Sequence, residues 1–239
     1  MLSAASGVGL LSLLLLPIEQ LVPVPQPLSP LLLRTLSVVQ PALLVALALW
    51  AGNRLAPKLG LGTPVIDAWL SGNPVLPALR RQLPPALAAG VAVSALLIAW
   101  SRWGWPLLAS DSEVGKRLAA FTIPLPVRLL YGGIVEEVLT RWGLMSVLVW
   151  GLWRLSGPAA APRPWHFAAG IVLAALLFGA GHLPLLFAMN PHPPAWGIAA
   201  IIFGNALPGM VFGWLFWRHG LEASMLAHAL AHLLAAVVG

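Results

Sequence analysis

Two adjacent glutamates and an arginine lie inside an otherwise apolar stretch of this 239-residue chain, Tyr131-Gly-Gly-Ile-Val-Glu-Glu-Val-Leu-Thr-Arg141. A charged side chain at bilayer depth costs roughly 2.5 to 3.5 kcal/mol, so these groups must face protein or trapped water rather than lipid. Glu137 and Arg141 are four residues apart, which favours an ion pair on one helical face. Glu136 points about 100° away, and the spacing predicts that it stays available for chemistry.

Histidines on two later apolar stretches can meet Glu136 at one depth in the membrane. His182 follows Phe178 by four residues, and His228 and His232 share one helical face because they are also four residues apart. Glu136, His182 and His228 each lie within about five residues, roughly 8 Å of rise, of the middle of their stretches. We expect Glu136 and His182 to activate water for attack on a carbonyl. His228 and His232 would then donate hydrogen bonds to the oxyanion.

The same side chains suit a metal ion. The histidine pair His228 and His232, with His182 and Glu136, forms a possible zinc set with water in the open position. The absence of cysteine excludes thiolate ligands, disulfides and a cysteine nucleophile. We favour water activation without a cofactor and keep zinc as the alternative. Asn205 lies on another apolar stretch and is expected to line the same cavity or to make a helix-packing hydrogen bond.

The composition indicates an integral membrane protein. Hydrophobic residues make up 59% of the chain, charged residues only 8%, and the mean hydropathy is +0.89. Soluble proteins carry about 25% charged residues. The net charge of +6 comes from basic residues scattered between apolar runs, so nucleic acid is not an expected partner. The expected partners are the lipid bilayer and a membrane-associated protein or peptide.

The apolar runs predict an all-α polytopic bundle of about seven transmembrane helices around a polar intramembrane cavity, since about 20 residues cross the hydrocarbon. The predicted spans are approximately 3–22, 31–52, 85–101, 126–152, 166–188, 195–217 and 221–238. Residues 53–84 are predicted to be a loop with a short interfacial helix at about 67–70, and 114–121 a short amphipathic helix. Because no repeat or appended domain is evident, residues 1–239 form a single predicted membrane domain.

The distribution of basic residues predicts the orientation. The links 53–84, 153–165 and 218–220 contain lysine or arginine, whereas 189–194 contains neither. By the positive-inside rule the first three face the cytoplasm. We therefore expect a protein of the bacterial cytoplasmic membrane with its N-terminus inside and its C-terminus outside, although the basic segment 102–128 departs from this pattern.

Three motifs occur in order on three apolar stretches: Glu136-Glu137-x-x-x-Arg141, Phe178-x-x-x-His182 and His228-x-x-x-His232. Together they resemble the motifs of the CPBP family (CAAX protease and bacteriocin-processing, also called Abi) of intramembrane endopeptidases. The resemblance covers about residues 124–236. It implies an all-helical membrane peptidase that hydrolyses a peptide bond of a membrane-associated protein or peptide.

The resemblance also implies roles for single residues. Glu136 and His182 would activate water, and the last motif would stabilise the oxyanion, with Glu137 and Arg141 in support. His232 departs from the family pattern, which often has asparagine there. A neutral histidine donates from only one ring nitrogen, so the oxyanion role of His232 depends on its tautomer.

Two other functions fit parts of this pattern. Histidines on facing helices are typical of a membrane-embedded metal- or haem-binding protein, but that function leaves the adjacent glutamates unexplained. A non-catalytic family member that acts as a membrane scaffold would keep the same residues. An optical spectrum separates haem binding from proteolysis.

Overall fold

The computed structural model describes residues 1–18, 29–107, 116, 121–157, 161–190 and 192–238. These residues form helices and turns and contain no strand, which confirms the all-α prediction. Nine helices are named here in chain order: α1 Leu2–Ser12, α2 Pro30–Leu55, α3 Pro64–Leu70, α4 Leu76–Ala99, α5 125–155, α6 Pro164–Ala180, α7 Leu183–Met189, α8 Ala195–His219 and α9 Leu221–Val238.

Five helical segments in the described ranges are long and apolar enough to cross a membrane: Leu31–Leu55, Leu76–Gly104, Pro164–Phe187, Ala195–His219 and Leu221–Val238. The predicted count of seven stays a prediction. The apolar helix Leu2–Leu15 is short, and α5 contains five charged residues. Part of the predicted first span, 19–22, and all of 114–121 except Lys116 and Phe121 lie outside the described residues.

The predicted loop at 53–84 is wrong in its second half. The short helix expected near 67–70 is present as α3, but α4 already begins at Leu76 and runs through Pro84 and Pro85. Proline removes a backbone donor and disfavours a helix interior. Packing of α4 along α9 outweighs this local preference.

The span predicted at 166–188 is interrupted at its second motif. Helix α6 ends at Ala180, Gly181 and His182 form a turn, and α7 begins at Leu183. Pro184 fits the break, because it has no N–H to donate to the carbonyl of Ala180 and so continue α6, and because proline suits the first turn of a new helix. His182 therefore lies at a helix break and not near the middle of a continuous helix, as its spacing had predicted.

Helix α5 carries the glutamate pair and contains two π-helical segments, Arg128–Glu136 and Val138–Met145. In an α-helix, residues five apart point about 140° away from each other. In a π-helix, hydrogen bonds join residues five apart, so such residues stack along one side. This geometry brings Tyr131 to the side of α5 that carries Glu136.

Small residues let the neighbours of α5 approach closely. The helix packs against α1, α2 and α9. A Cβ atom added to Gly133 would lie 2.8 Å from the Cβ of Ala229 on α9, and one added to Gly143 would lie 2.6 Å from the Cβ of Ala48 on α2. These close contacts hold α5 between α2 and α9.

Candidate active site

The second glutamate, Glu137, is the centre of a buried polar cluster. Its side chain has no exposed surface, and its Oε1 lies 3.1 Å from Nη1 of Arg141 and 2.7 Å from Nδ1 of His228. The Ser224 hydroxyl donates to Oε2 of Glu137. The ion pair expected from the four-residue spacing is present, and it also anchors α9 to α5.

Arg141 extends this cluster to two more helices. Its Nη2 donates to the backbone carbonyl of Gly209 on α8 at 3.1 Å, and its Nη1 donates to the hydroxyl of Thr140. The guanidinium carbon lies 5.5 Å from the ring centroids of both Phe178 and Phe212. Arg141 therefore uses these contacts to hold neighbouring helices together, which is a structural role.

The ring of His228 is fixed by contacts on both faces and at one nitrogen. It stacks on Phe212 and His232, with centroid distances of 4.6 and 4.9 Å. Since a carboxylate only accepts hydrogen bonds, Nδ1 of His228 carries the proton that bonds to Glu137. The other nitrogen, Nε2, lies 3.9 Å from Oε2 of Glu136.

The first glutamate, Glu136, is not held in this way. Its side chain is 21% exposed, whereas that of Glu137 is fully buried. It makes no side-chain hydrogen bond within the described part of the chain. It lies where two pockets meet, one of about 280 Å³ and one of about 600 Å³. Four residues line both pockets: Tyr131, Glu136, Phe178 and His182.

The smaller pocket brings together residues of all three motifs. Besides Glu136 and His182 it is lined by His228, His232 and Asn205. The side-chain amide of Asn205 donates to the Ile201 carbonyl of its own helix at 2.8 Å, which leaves one N–H available. Nδ1 of His232 is buried and has no hydrogen-bond partner among the described atoms.

His182 is oriented by its own helix. Its Nδ1 lies 2.8 Å from the Phe178 carbonyl, and its ring meets the Phe178 ring edge-on at 4.7 Å. A carbonyl oxygen accepts, so Nδ1 carries the proton and Nε2 is an acceptor in the neutral ring. The four-residue spacing permits both contacts, because residue i+4 of a helix lies one turn along from residue i, next to its carbonyl and its side chain.

The larger pocket is apolar. It lies between α2, α5 and α6, and its aliphatic lining includes Leu44, Leu47, Leu144, Val147 and Leu177. Several of these side chains are exposed on the outside of the bundle. The pocket therefore connects the surface that faces the hydrocarbon with Glu136 and His182.

The described residues include no group of three histidine, aspartate or glutamate side chains placed to hold a metal ion. Glu136, His182, His228 and His232 share a pocket, but they do not converge as a ligand set. The zinc set expected from spacing therefore stays a prediction.

Sequence reasoning missed four residues of the site: Arg128, Tyr131, Phe212 and Ser224. Spacing could have found two of them, because Ser224 precedes His228 by four residues and Arg128 precedes Glu136 by eight. Tyr131 precedes Glu136 by five residues, which places it on another face of an α-helix and on the same side of a π-helix. The position of Phe212 depends on the packing of α8 and had no signal of its own.

Comparison with curated proteins and with solved structures found no match. A family model described as type II CAAX prenyl endopeptidase Rce1-like matches residues 118–234. The matched region contains all three motifs, helices α5 to α8 and most of α9. Together, this match and the ordered motifs show that residues 118–234, about half of the chain, are an Rce1-like region of the CPBP family of CAAX-type proteases.

Proposed function

We propose that this protein is an intramembrane endopeptidase that hydrolyses a peptide bond of a membrane-associated protein or peptide with water activated by Glu136 and His182. The observation that carries the proposal is that these two side chains, one on α5 and one in the turn between α6 and α7, line both of two adjoining pockets. Glu136 also lies outside the buried cluster that holds its neighbour Glu137. Family membership supports a peptidase.

Two acceptors orient the water. The Glu136 carboxylate accepts one hydrogen of the water and takes that proton as attack begins. Nε2 of His182 accepts the second hydrogen, because the proton of that ring lies on Nδ1 and is engaged by the Phe178 carbonyl. The water oxygen then has a lone pair directed at the carbonyl carbon, and the new C–O bond gives a tetrahedral intermediate.

His232 is the proposed donor to the oxyanion. Its Nδ1 is buried without a described partner, so the tautomer with the proton on Nε2 avoids an unpaired buried donor. Nε2 borders the pocket at Gly132, where an added Cβ would lie 3.1 Å from it. The remaining N–H of Asn205 offers a second donor. In this arrangement the donors stabilise the negative charge that develops on the carbonyl oxygen during attack.

His228 is the proposed route of the proton to the leaving group. Its Nε2 lies 3.9 Å from Glu136, and Glu137 stabilises the imidazolium that forms when Nε2 takes the proton. That proton passes to the leaving amine as the C–N bond breaks. This assignment differs from the oxyanion role expected from sequence, because neutral His228 has no proton on Nε2.

The pockets define the proposed path of the substrate. In this proposal the smaller pocket, which contains the histidines and Asn205, holds the bond that is cut, and the larger one admits an apolar segment from the bilayer. A substrate that crosses between them passes Glu136 and His182. This path is consistent with membrane-associated substrates of the family.

Changing His182 to alanine tests the assignment. We expect the cleavage rate to fall by about 100-fold or more, because the water loses one of its two acceptors. The measurement uses proteoliposomes and a library of quenched fluorescent peptides with an acyl anchor, with cut peptides identified by mass spectrometry. His192→Ala, which changes an exposed histidine in the 190–194 link, is the matched control and should cleave at the normal rate. An unchanged rate in His182→Ala would remove that residue from the mechanism.

Chelation tests the proposed independence of metal, which rests on the chemistry of the pocket and on the lack of a described ligand group. We expect 1,10-phenanthroline to leave the cleavage rate within about twofold of that with its non-chelating isomer 1,7-phenanthroline. Metal content is measured on the same sample. Loss of activity that zinc restores would establish the metal-dependent alternative.

The three basic links predicted to face the cytoplasm lie at one end of the bundle. The amide of Leu221 donates to the carbonyl of Gly62, which joins the 53–84 segment to the link after α8, and the end of α5 packs near Pro57–Leu59. At the other end, Arg102 contacts the carbonyl of Val238, and Arg34 contacts that of Leu14. These contacts group the three links at one end, and by the positive-inside rule we propose that this end faces the cytoplasm, in the N-in, C-out orientation of a bacterial cytoplasmic membrane protein.

A further inference from the structure

A third pocket, of about 340 Å³, continues from the smaller pocket of the candidate active site and lies between α4 and α8. Four residues line both pockets and form the junction between them: Leu97, Gly204, Asn205 and Pro208. Gly204 leaves this junction open, because a Cβ atom added to it would lie more than 4 Å from every described atom of the other helices. The three pockets therefore form one continuous cleft, with Glu136 and His182 between its two ends.

The third pocket opens on the outside of the bundle. Leu96 on α4 and Leu207 on α8 border it and are 48% and 50% exposed. Helix α4 packs closely along α9 but contacts α8 at fewer positions, which leaves the gap. The lining is aliphatic and aromatic except for Asn205, so it suits hydrocarbon side chains. The cleft is therefore open to the hydrocarbon of the bilayer on both sides of Glu136.

The two outer pockets lie toward opposite ends of the bundle. The larger pocket is bordered by Val147, near the end of α5 that packs at Pro57–Leu59. The third pocket is bordered by Trp100, close to Arg102, which contacts the carbonyl of Val238 at the other end. The cleft therefore runs obliquely through the bundle and past the candidate site. An apolar chain that fills it has residues on both sides of the bond at Glu136.

We infer that the third pocket binds the part of the substrate beyond the bond that is cut, so that the substrate is an internal apolar segment of a membrane protein and not the last few residues of a chain. This inference rests on the proposed peptidase function and adds a substrate class to it. A helix with its side chains is about 10 Å across, and an extended chain covers about 3.3 to 3.6 Å per residue. About three residues beyond the cut therefore bring the substrate through the gap between α4 and α8.

Peptides of two lengths test this inference. Both have the same apolar segment before the cut, and they continue for about two or about eight apolar residues beyond it, so that only the longer one passes through the gap. We expect the wild-type protein to cleave the longer peptide with a kcat/KM about 10- to 100-fold higher, mainly through KM, because the third pocket buries its apolar side chains. Equal kcat/KM for the two lengths would overturn the inference.

Gly204→Leu fills the junction with a side chain and should bring the ratio of the two kcat/KM values to near one. Leucine suits a helix interior better than glycine, so we expect the variant to fold. Gly151→Leu makes the same change near the far end of α5, at an open position that lines none of the three pockets, and should keep the full ratio. A full ratio in Gly204→Leu would contradict the inference.

Cross-linking gives a readout that does not need cleavage. The chain contains no cysteine, so a single introduced cysteine is its only thiol. In the inactive Glu136→Gln protein, Leu44→Cys reports on the larger pocket and Leu207→Cys on the third. The probe is an apolar peptide of about 20 residues, long enough to cross the bilayer, with one cysteine in its first or its second half. Val172→Cys, at an exposed position on α6 that lines none of the three pockets, is the control for random contact in the membrane.

We expect one half of the peptide to form a disulfide with Leu44→Cys and the other half to form one with Leu207→Cys, each well above the control. This result supports the inference even when no peptide is cut, and in that case only the proposed function fails. Cross-links of both halves to Leu44→Cys, with none above the control at Leu207→Cys, would overturn the inference and assign the third pocket to lipid.

Discussion

Replacement of Glu136 by glutamine is expected to lower the rate of peptide cleavage by about 10²- to 10⁴-fold, the usual contribution of a general base. Glutamine keeps the size and polarity of the side chain but cannot take a proton from water. The measurement is the single-turnover rate on an anchored fluorescent peptide in proteoliposomes, which separates chemistry from substrate binding.

The same substitution should leave the fold intact, since Glu136 is part-exposed and makes no side-chain hydrogen bond to a described residue. The thermal unfolding midpoint of Glu136→Gln should stay within about 2 °C of the wild-type value, as is usual for substitutions outside a buried network. A variant that unfolds much earlier would mean that Glu136 has a structural role and that its lost activity says nothing about catalysis.

Replacement of the neighbouring Glu137 by glutamine is expected to act on stability first. The change leaves Arg141 as a buried charge without its counter-ion and weakens the bonds to Ser224 and His228. Breaking a buried ion pair from one side costs about 3 to 5 kcal/mol. The free energy of unfolding, measured in mixed micelles with increasing SDS, should fall by that amount.

A second substitution tests whether the unpaired charge of Arg141 causes the loss of stability. In Glu137→Gln with Arg141→Met the isolated charge is gone, so part of the lost stability should return. The double variant should nevertheless cleave slowly, because His228 is no longer held by a carboxylate. Full stability in the single Glu137→Gln variant would contradict the proposed division of labour between the two adjacent glutamates.

Features that depend on residue type and local spacing could be predicted from sequence. The low charge content indicates a membrane protein, and the four-residue spacing of Glu137 and Arg141 predicts their ion pair, which is present. The arrangement of the His228 and His232 rings also follows from their spacing, because residues four apart stack on an α-helix.

Features that depend on competition between local and tertiary forces could not be predicted. Two prolines in α4 indicated a loop, yet packing against α9 keeps the helix continuous. Pro184 breaks a span that hydropathy alone reads as continuous, and the break is what turns His182 toward the pocket. The hydropathy pattern does not distinguish a π-helix from an α-helix in α5, so the sequence did not predict that Tyr131 lies beside the pocket.

The hydrogen-bond partner of His228 could not be predicted from the sequence for a related reason. Sequence spacing indicates which side chains share one helix face, but the choice between Glu136 and Glu137 depends on how α9 packs on α5. Glycine at 132 and 133 permits that close approach. The resulting bond to Glu137 changes what the ring can donate, and it moves the proposed role of His228 from the oxyanion to the leaving group.

The most direct test of a shared water is a double-mutant cycle on Glu136 and His182, measured as single-turnover cleavage rates of the two single variants and of the Glu136→Gln, His182→Ala double variant. If both side chains act on one water, the double variant should be about as slow as the slower single variant, because either change alone removes the activated water. If the two losses multiply in the double variant, the side chains act independently and the proposed site is wrong.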